Sequence, residues 1–137
     1  MVTRYLLDTN ICIYIRQKRP TAVLKRFEKL SVGDAAISVI TYGELFYGAE
    51  HSPAEHRQAN RRLLAELIEL MPVLPMPYTA GEAYGALREA LTRDGQMIGN
   101  NDLWIAAHAK AEGLILVTNN GREFKRVFGL KVENWVA

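Results

Sequence analysis

The chain has 137 residues, of which 49% are hydrophobic and 23% charged, which is enough for one core of ordinary size. Ten glycines and five prolines exclude collagen-like repeats and low-complexity tails, and the single cysteine, Cys12, excludes an internal disulfide framework and a cysteine-based zinc centre. The formal net charge of +2 points to no partner by itself.

In chain order, Tyr5-Leu6-Leu7 is a short apolar run ending at Asp8 and predicts a buried strand. Thr9–Arg16 predicts a helix capped by Asp8, Thr9 or Asn10, and Thr21–Lys29 a second one after Pro20. Ala35–Ser38 reads as a strand and Thr41–Glu50 as a helix. From Pro53 to Leu70 the apolar positions Leu63, Leu64, Leu67 and Ile68 follow the 3.6-residue period of a long helix. Val73-Leu74 reads as a short strand beside prolines. Helices follow over Thr79–Arg93 and Asn101–Glu112, the latter stopped by Gly113. Leu114–Thr118 is the clearest strand, Asn119-Asn120-Gly121 a turn, and Lys131–Trp135 a last strand.

Strands alternating with helices predict an α/β fold with a central parallel sheet of four or five strands, covered on both faces. No linker or repeat breaks the chain, so residues 1–137 are expected to form one domain. No run of about 18 apolar residues exists to cross a membrane. The opening Met1–Asp8 is too short and too soon charged for a signal peptide, so a cytoplasmic protein is expected.

In a parallel sheet, sites form along the edge where the strands' carboxyl ends lie, and the placement of carboxylates then becomes informative. Of the four aspartates, Asp34 and Asp94 each sit beside a glycine in an obvious turn. Asp8 ends the first strand; it could cap the next helix, a common role, but Thr9 and Asn10 could do that as well. Glu44 is the only charged residue between Val39 and Ala49. Asp102 is the only formal charge between Gly95 and Ala109, at the start of an apolar helix where the helix dipole alone would favour it. Glu123 follows the Thr118-Asn119-Asn120 segment among Arg122, Lys125 and Arg126, where a surface ion pair is an equal alternative. Several carboxylates at one edge repel unless a cation lies among them. Oxygen ligands without His or Cys select Mg²⁺ or Mn²⁺. Such a site suits phosphodiester hydrolysis, with Thr118 and Asn119 or Asn120 positioning a water or a phosphate oxygen.

Five stretches, in order along the chain, resemble the PIN-domain ribonucleases and, more closely, the VapC toxins of bacterial toxin–antitoxin pairs. They are Leu6-Leu7-Asp8-Thr9-Asn10; Ser38 to Leu45 with Tyr47-Gly48; Ile98-Gly99-Asn100-Asn101-Asp102 with Ile105-Ala106; Leu116 to Asn120 with Glu123-Phe124; and Val132-Glu133-Asn134-Trp135. The resemblance implies a PIN-like three-layer fold and metal-dependent RNA cleavage. It makes Asp8 and Asp102 the principal metal ligands and Glu44 the third acid. Many PIN domains carry a further aspartate where Asn119 and Asn120 stand here; Glu123 is the acid that matches the nearest-looking relatives. The resemblance also implies a homodimer, inhibition by a VapB-type antitoxin in a hetero-oligomer, and a tRNA substrate, the nearest-looking relatives cutting initiator tRNA in its anticodon stem-loop.

Residues 1–30 carry Arg4, Arg16, Lys18, Arg19, Lys25, Arg26 and Lys29 against Asp8 and Glu28. Arg16, Lys18 and Arg19, with Arg122 and Arg126, are therefore candidates for holding an RNA backbone. Ile11, Ile13, Ile15, Phe46 and Tyr47 are candidates for an apolar patch that would take an antitoxin helix. Two other readings remain open at this point. One is a phosphotransferase of the haloacid-dehalogenase type with Asp8 as nucleophile, although Asn10 stands where that class has a second aspartate. The other is a PIN-like binding module without turnover.

Overall fold

A computed structural model describes residues 2–136; the two ends of the expected domain, Met1 and Ala137, lie outside them. Five strands among the described residues form one sheet: β1 (Tyr5–Leu7), β2 (Ala35–Ser38), β3 (Val73–Leu74), β4 (Ile115–Val117) and β5 (Val132–Glu133). Their order is β3-β2-β1-β4-β5 and every pairing is parallel. Seven helices accompany them among the described residues: α1 (Thr9–Gln17), α2 (Thr21–Glu28), α3 (Val39–His51), α4 (Ala54–Leu70), α5 (Tyr78–Arg93), α6 (Asn100–Glu112) and α7 (Gly121–Phe124).

The alternation of side chains along the strands builds two cores. Leu6 and Leu116, paired in register, point to one face, where Leu87 and Leu91 of α5, Leu103 and Ala106 of α6 and Phe124 of α7 cover them. Tyr5, Leu7, Ala35, Ile37 and Val117 point to the other, against Ile11 and Ile15 of α1, Val23 of α2, Leu45 of α3 and Leu64 and Leu67 of α4. A sheet sandwiched this way needs strands that are apolar throughout, which is why β1 and β2 are buried at every position. Truncation at the centre is correspondingly costly: Leu116→Ala, at a fully buried position, is expected to lower unfolding free energy by about 2–5 kcal/mol, measured by urea denaturation followed by circular dichroism.

The segment around β5 is fastened to the rest of the fold by specific contacts. Trp135 is buried edge-on against the Tyr5 ring, with centroids 5.3 Å apart, and its indole N–H donates to Glu133, which also pairs with Arg26 at 3.0 Å.

The expected apolar patch is only partly present. Ile11 and Ile15 are buried in the core, because their i, i+4 spacing turns them onto the sheet. Ile13 is half-buried and packs against the same core, while Phe46 and Tyr47 stay exposed. The last strand is shorter than Lys131–Trp135, and the region read as a turn after Thr118 runs into the short helix α7.

Candidate active site

The carboxyl ends of β1, β2 and β4 lie side by side, and each passes directly into a residue that organises the site. Asp8 follows β1. Its backbone N–H donates to the carbonyl of Val117 on β4 (3.0 Å), and its Oδ1 accepts from the N–H of Ile11 (3.0 Å), so it caps α1. The capping and functional readings of Asp8 are therefore not exclusive: one oxygen caps the helix. The Thr118 hydroxyl, following β4, accepts from the N–H of Asn120 (2.9 Å) and lies close enough to the Asp8 carboxylate to favour its ionised form. Burial pushes the pKa of Asp8 above the usual carboxylate range; the Thr118 and backbone hydrogen bonds oppose this, and Glu44 reinforces it.

Glu44 rides on α3, which is positioned by Ser38 at the end of β2: the Ser38 Oγ accepts from the N–H of Thr41 and caps the helix. The Thr9 hydroxyl donates to Glu44 Oε1 at 2.5 Å, and the Asn101 amide approaches Oε2 at 3.4 Å. Thr9 is thus a site residue that sequence reading weighed only as a helix cap.

Asp102 lies in the first turn of α6. The helix is preceded by Gly99, which has no side chain to cap it; Glu123 on α7 serves that end instead, its Oε1 accepting from the Gly99 N–H at 2.9 Å. Glu123 Oε2 is in turn held by the Asn120 amide. Burial first, then the charges of Glu123, Asp8 and Glu44, and a side-chain hydrogen bond to Glu123, push the Asp102 carboxyl up to about 6. Asp102 is thus within electrostatic reach of the other three acids singled out in the sequence. Among the described residues, no three His, Cys, Asp or Glu side chains stand close enough, as placed, to enclose a metal ion. Asp8 and Asp102 each stand at a helix N-terminus, where the helix dipole favours a negative charge.

The other candidates divide. Asn119 turns away from the carboxylates, and its amide donates to the Tyr14 hydroxyl on α1 at 2.8 Å; its neighbour Asn120 is the one that meets the acids. Arg16 lines a small cavity with Thr9, Glu44 and Asn60, and Arg122 is exposed at the start of α7 beside Glu123. Arg126 is tied to the carbonyl of Met97 (2.9 Å), bracing the loop before α6. Lys18 and Arg19 lie at the far end of α1, roughly 13 Å along the helix from the site by its rise per residue. His108 is buried in α6 with neither ring nitrogen hydrogen-bonded among the described residues, and burial lowers its pKa, so it is a neutral core residue.

The family model described as the PIN domain matches residues 5–130. The chain belongs to the PIN-domain family. This PIN domain is 43% identical to a protein named ribonuclease VapC2 from Haemophilus influenzae, over 97% of this chain and 98% of that protein. It is 42% identical to a protein named tRNA(fMet)-specific endonuclease VapC from Shigella flexneri, over 96% of this chain and 98% of the other. Its fold matches the crystal structure of a DNA-bound VapBC from Salmonella typhimurium with a TM-score of 0.90 at 38% identity, covering 98% of this chain and 99% of that one. At these identities and coverages it falls in the VapC group of PIN domains. The haloacid-dehalogenase alternative finds no support in them. No helix among the described residues is long and apolar enough to cross a membrane.

Proposed function

We propose that this PIN domain is a metal-dependent endoribonuclease, the toxin of a toxin–antitoxin pair, acting on tRNA. The observation that carries the reading is that Asp102 feels the charges of Glu123, Asp8 and Glu44 at the carboxyl end of the central strands, in a chain whose close relatives are named as ribonucleases.

The donor chemistry fits a hard cation. The acids are all oxygen donors, their mutual repulsion is uncompensated by any Lys or Arg salt bridge among the described residues, and Mg²⁺ needs only one or two carboxylates because it keeps several waters. Asp8 and Asp102 would hold Mg²⁺ or Mn²⁺, with Glu44 at the rim. Such an ion supplies a lowered pKa for water and charge neutralisation at the phosphodiester. The chain supplies the positioning. Asp8 is fixed by its cap and by Thr118, and Glu123 fixes the start of the helix that carries Asp102. Glu44, with one oxygen engaged by Thr9 and the other only loosely approached, has capacity to take a proton from an attacking water. The expected products carry a 5′-phosphate and a 3′-hydroxyl. Arg16 and Arg122 would meet the RNA backbone beside the cut. The relatives seen as VapBC complexes support a VapB-type antitoxin as partner, and a homodimer is part of the same proposal.

The test is cleavage of total tRNA by protein freed of any antitoxin, with Mg²⁺, with Mn²⁺ and with EDTA. Fragments are expected with either metal and none with EDTA; equal cleavage in EDTA would overturn the metal assignment.

A further inference from the structure

A groove of about 610 Å³ opens beside the acids, lined by Thr9, Val39, Ile40, Gly43, Glu44, Tyr47 and Asn101. Its acidic end is Glu44 with its hydrogen-bond partners Thr9 and Asn101, so the groove reaches one of the four acids. Its other end is apolar and aromatic. Ile40, Glu44, Tyr47 and His51 follow one another at helical spacing and form a single stripe along α3. Tyr47 is 66% exposed, unusual for so large a ring with a nearby core to join. It is nonetheless ordered from one side: the His51 ring lies against it, centroids 5.4 Å apart and planes within 14°. One aromatic face is thus braced and the other is open. The groove wall is low where Gly43 stands, since a Cβ there would meet nothing within 4 Å.

We propose that Tyr47, backed by His51, is a base-stacking subsite that takes an unpaired nucleobase next to the phosphate being cut. The inference rests on the RNA-cleavage reading above. Tyr47 lies three residues beyond Glu44, roughly 4.5 Å along the helix, within the span of one nucleotide. An aromatic platform beside an acidic, phosphate-handling end is what a single-stranded nucleotide requires, and stacking on it accepts any base. The substrate must therefore present a loop or an unpaired segment at the cut, and a continuous duplex, whose bases are already stacked, does not fill this groove.

The test uses two readouts. In steady-state cleavage of tRNA, Tyr47→Ala is expected to raise KM about tenfold, the scale of one lost base stack, with kcat little changed, while Tyr47→Phe and Tyr47→Trp keep the wild-type KM. In parallel, the full-length Asp8→Asn protein is titrated with a short single-stranded RNA carrying a fluorescent purine analogue. Quenching of the analogue is expected in that background and is lost when Tyr47→Ala is added. The second readout needs no turnover, so an absence of cleavage with quenching intact would overturn the nuclease reading and leave the subsite standing. Unchanged KM and unchanged quenching in Tyr47→Ala would overturn the subsite. Equal losses in Tyr47→Phe and Tyr47→Ala would also overturn it, because the hydroxyl rather than the ring face would then be responsible. A shift of Tyr47→Ala from dimer to monomer in sedimentation, with quenching retained, would assign the face to contact between copies of the chain instead.

Discussion

Asp8→Asn is expected to reduce RNA cleavage by at least about 10²–10³-fold, the loss typical of removing one preorganised electrostatic group from a catalytic centre, while leaving the fold in place. The separation follows from the two roles of this carboxylate. Its Oδ1 accepts the N–H of Ile11 at the start of α1, and asparagine caps helices as well as aspartate does. The amide oxygen can replace Oδ1 in that contact. What it cannot supply is the negative charge that the proposed cation requires and that Asp102 feels. The measurement is tRNA cleavage in Mg²⁺ beside thermal unfolding in EDTA. Activity within a few-fold of wild type would remove Asp8 from the mechanism.

Asp102→Asn is expected to abolish cleavage and, unusually, to make the metal-free protein more stable at pH 7–8. Asp102 is held up to about 6 by burial and by Glu123, Asp8 and Glu44, above its ordinary 3.8. A raised carboxyl contributes stability that is fully present below about pH 4 and is lost as pH rises through about 6. At neutral pH the native state therefore carries an ionised group it disfavours. A shift of this size corresponds to about 3 kcal/mol at most; partial exposure to solvent reduces that to about 1–2 kcal/mol. Asparagine removes the penalty, so the variant should melt several degrees higher in EDTA at pH 7.5, and the difference should close as pH falls towards 4. Adding Mg²⁺ should then stabilise the wild type and not the variant, because only the wild type retains both charges. Equal melting temperatures across the pH range would show that the cluster's repulsion is relieved by solvent.

Much of this arrangement is legible in the sequence, for identifiable reasons. Tyr5-Leu6-Leu7 and Ile115-Leu116-Val117 read as strands of a sheet covered on both faces, and Asp8, Glu44 and Asp102 stand out because each is a lone charge in an apolar stretch. What the pattern does not encode is contact between distant segments. The Glu123 cap on Gly99 joins residues 24 apart, and α7 itself, four residues long, has no periodicity to betray it. Asn119 and Asn120 are chemically identical in sequence, and only the backbone decides that the first faces Tyr14 and the second Glu123. The isoleucines of α1 misled for the opposite reason: three in a row at alternate positions look surplus until α1 is seen lying on the sheet with Ile11 and Ile15 underneath.

The cap that Glu123 places on α6 has a consequence for the order of events during synthesis. Chains are made from the amino end, and domains take shape as they emerge. Asp8, Glu44 and Asp102 all precede residue 103, yet the start of their last helix is fixed by Glu123, the N–H of Thr118 is held by the carbonyl of Glu133, and the central strand is closed over by Trp135. Three of the four carboxylates are translated before the segment that aligns them. The geometry around Asp8, Glu44 and Asp102 is therefore expected to be complete only once the segment from Thr118 to Trp135 has folded onto the sheet.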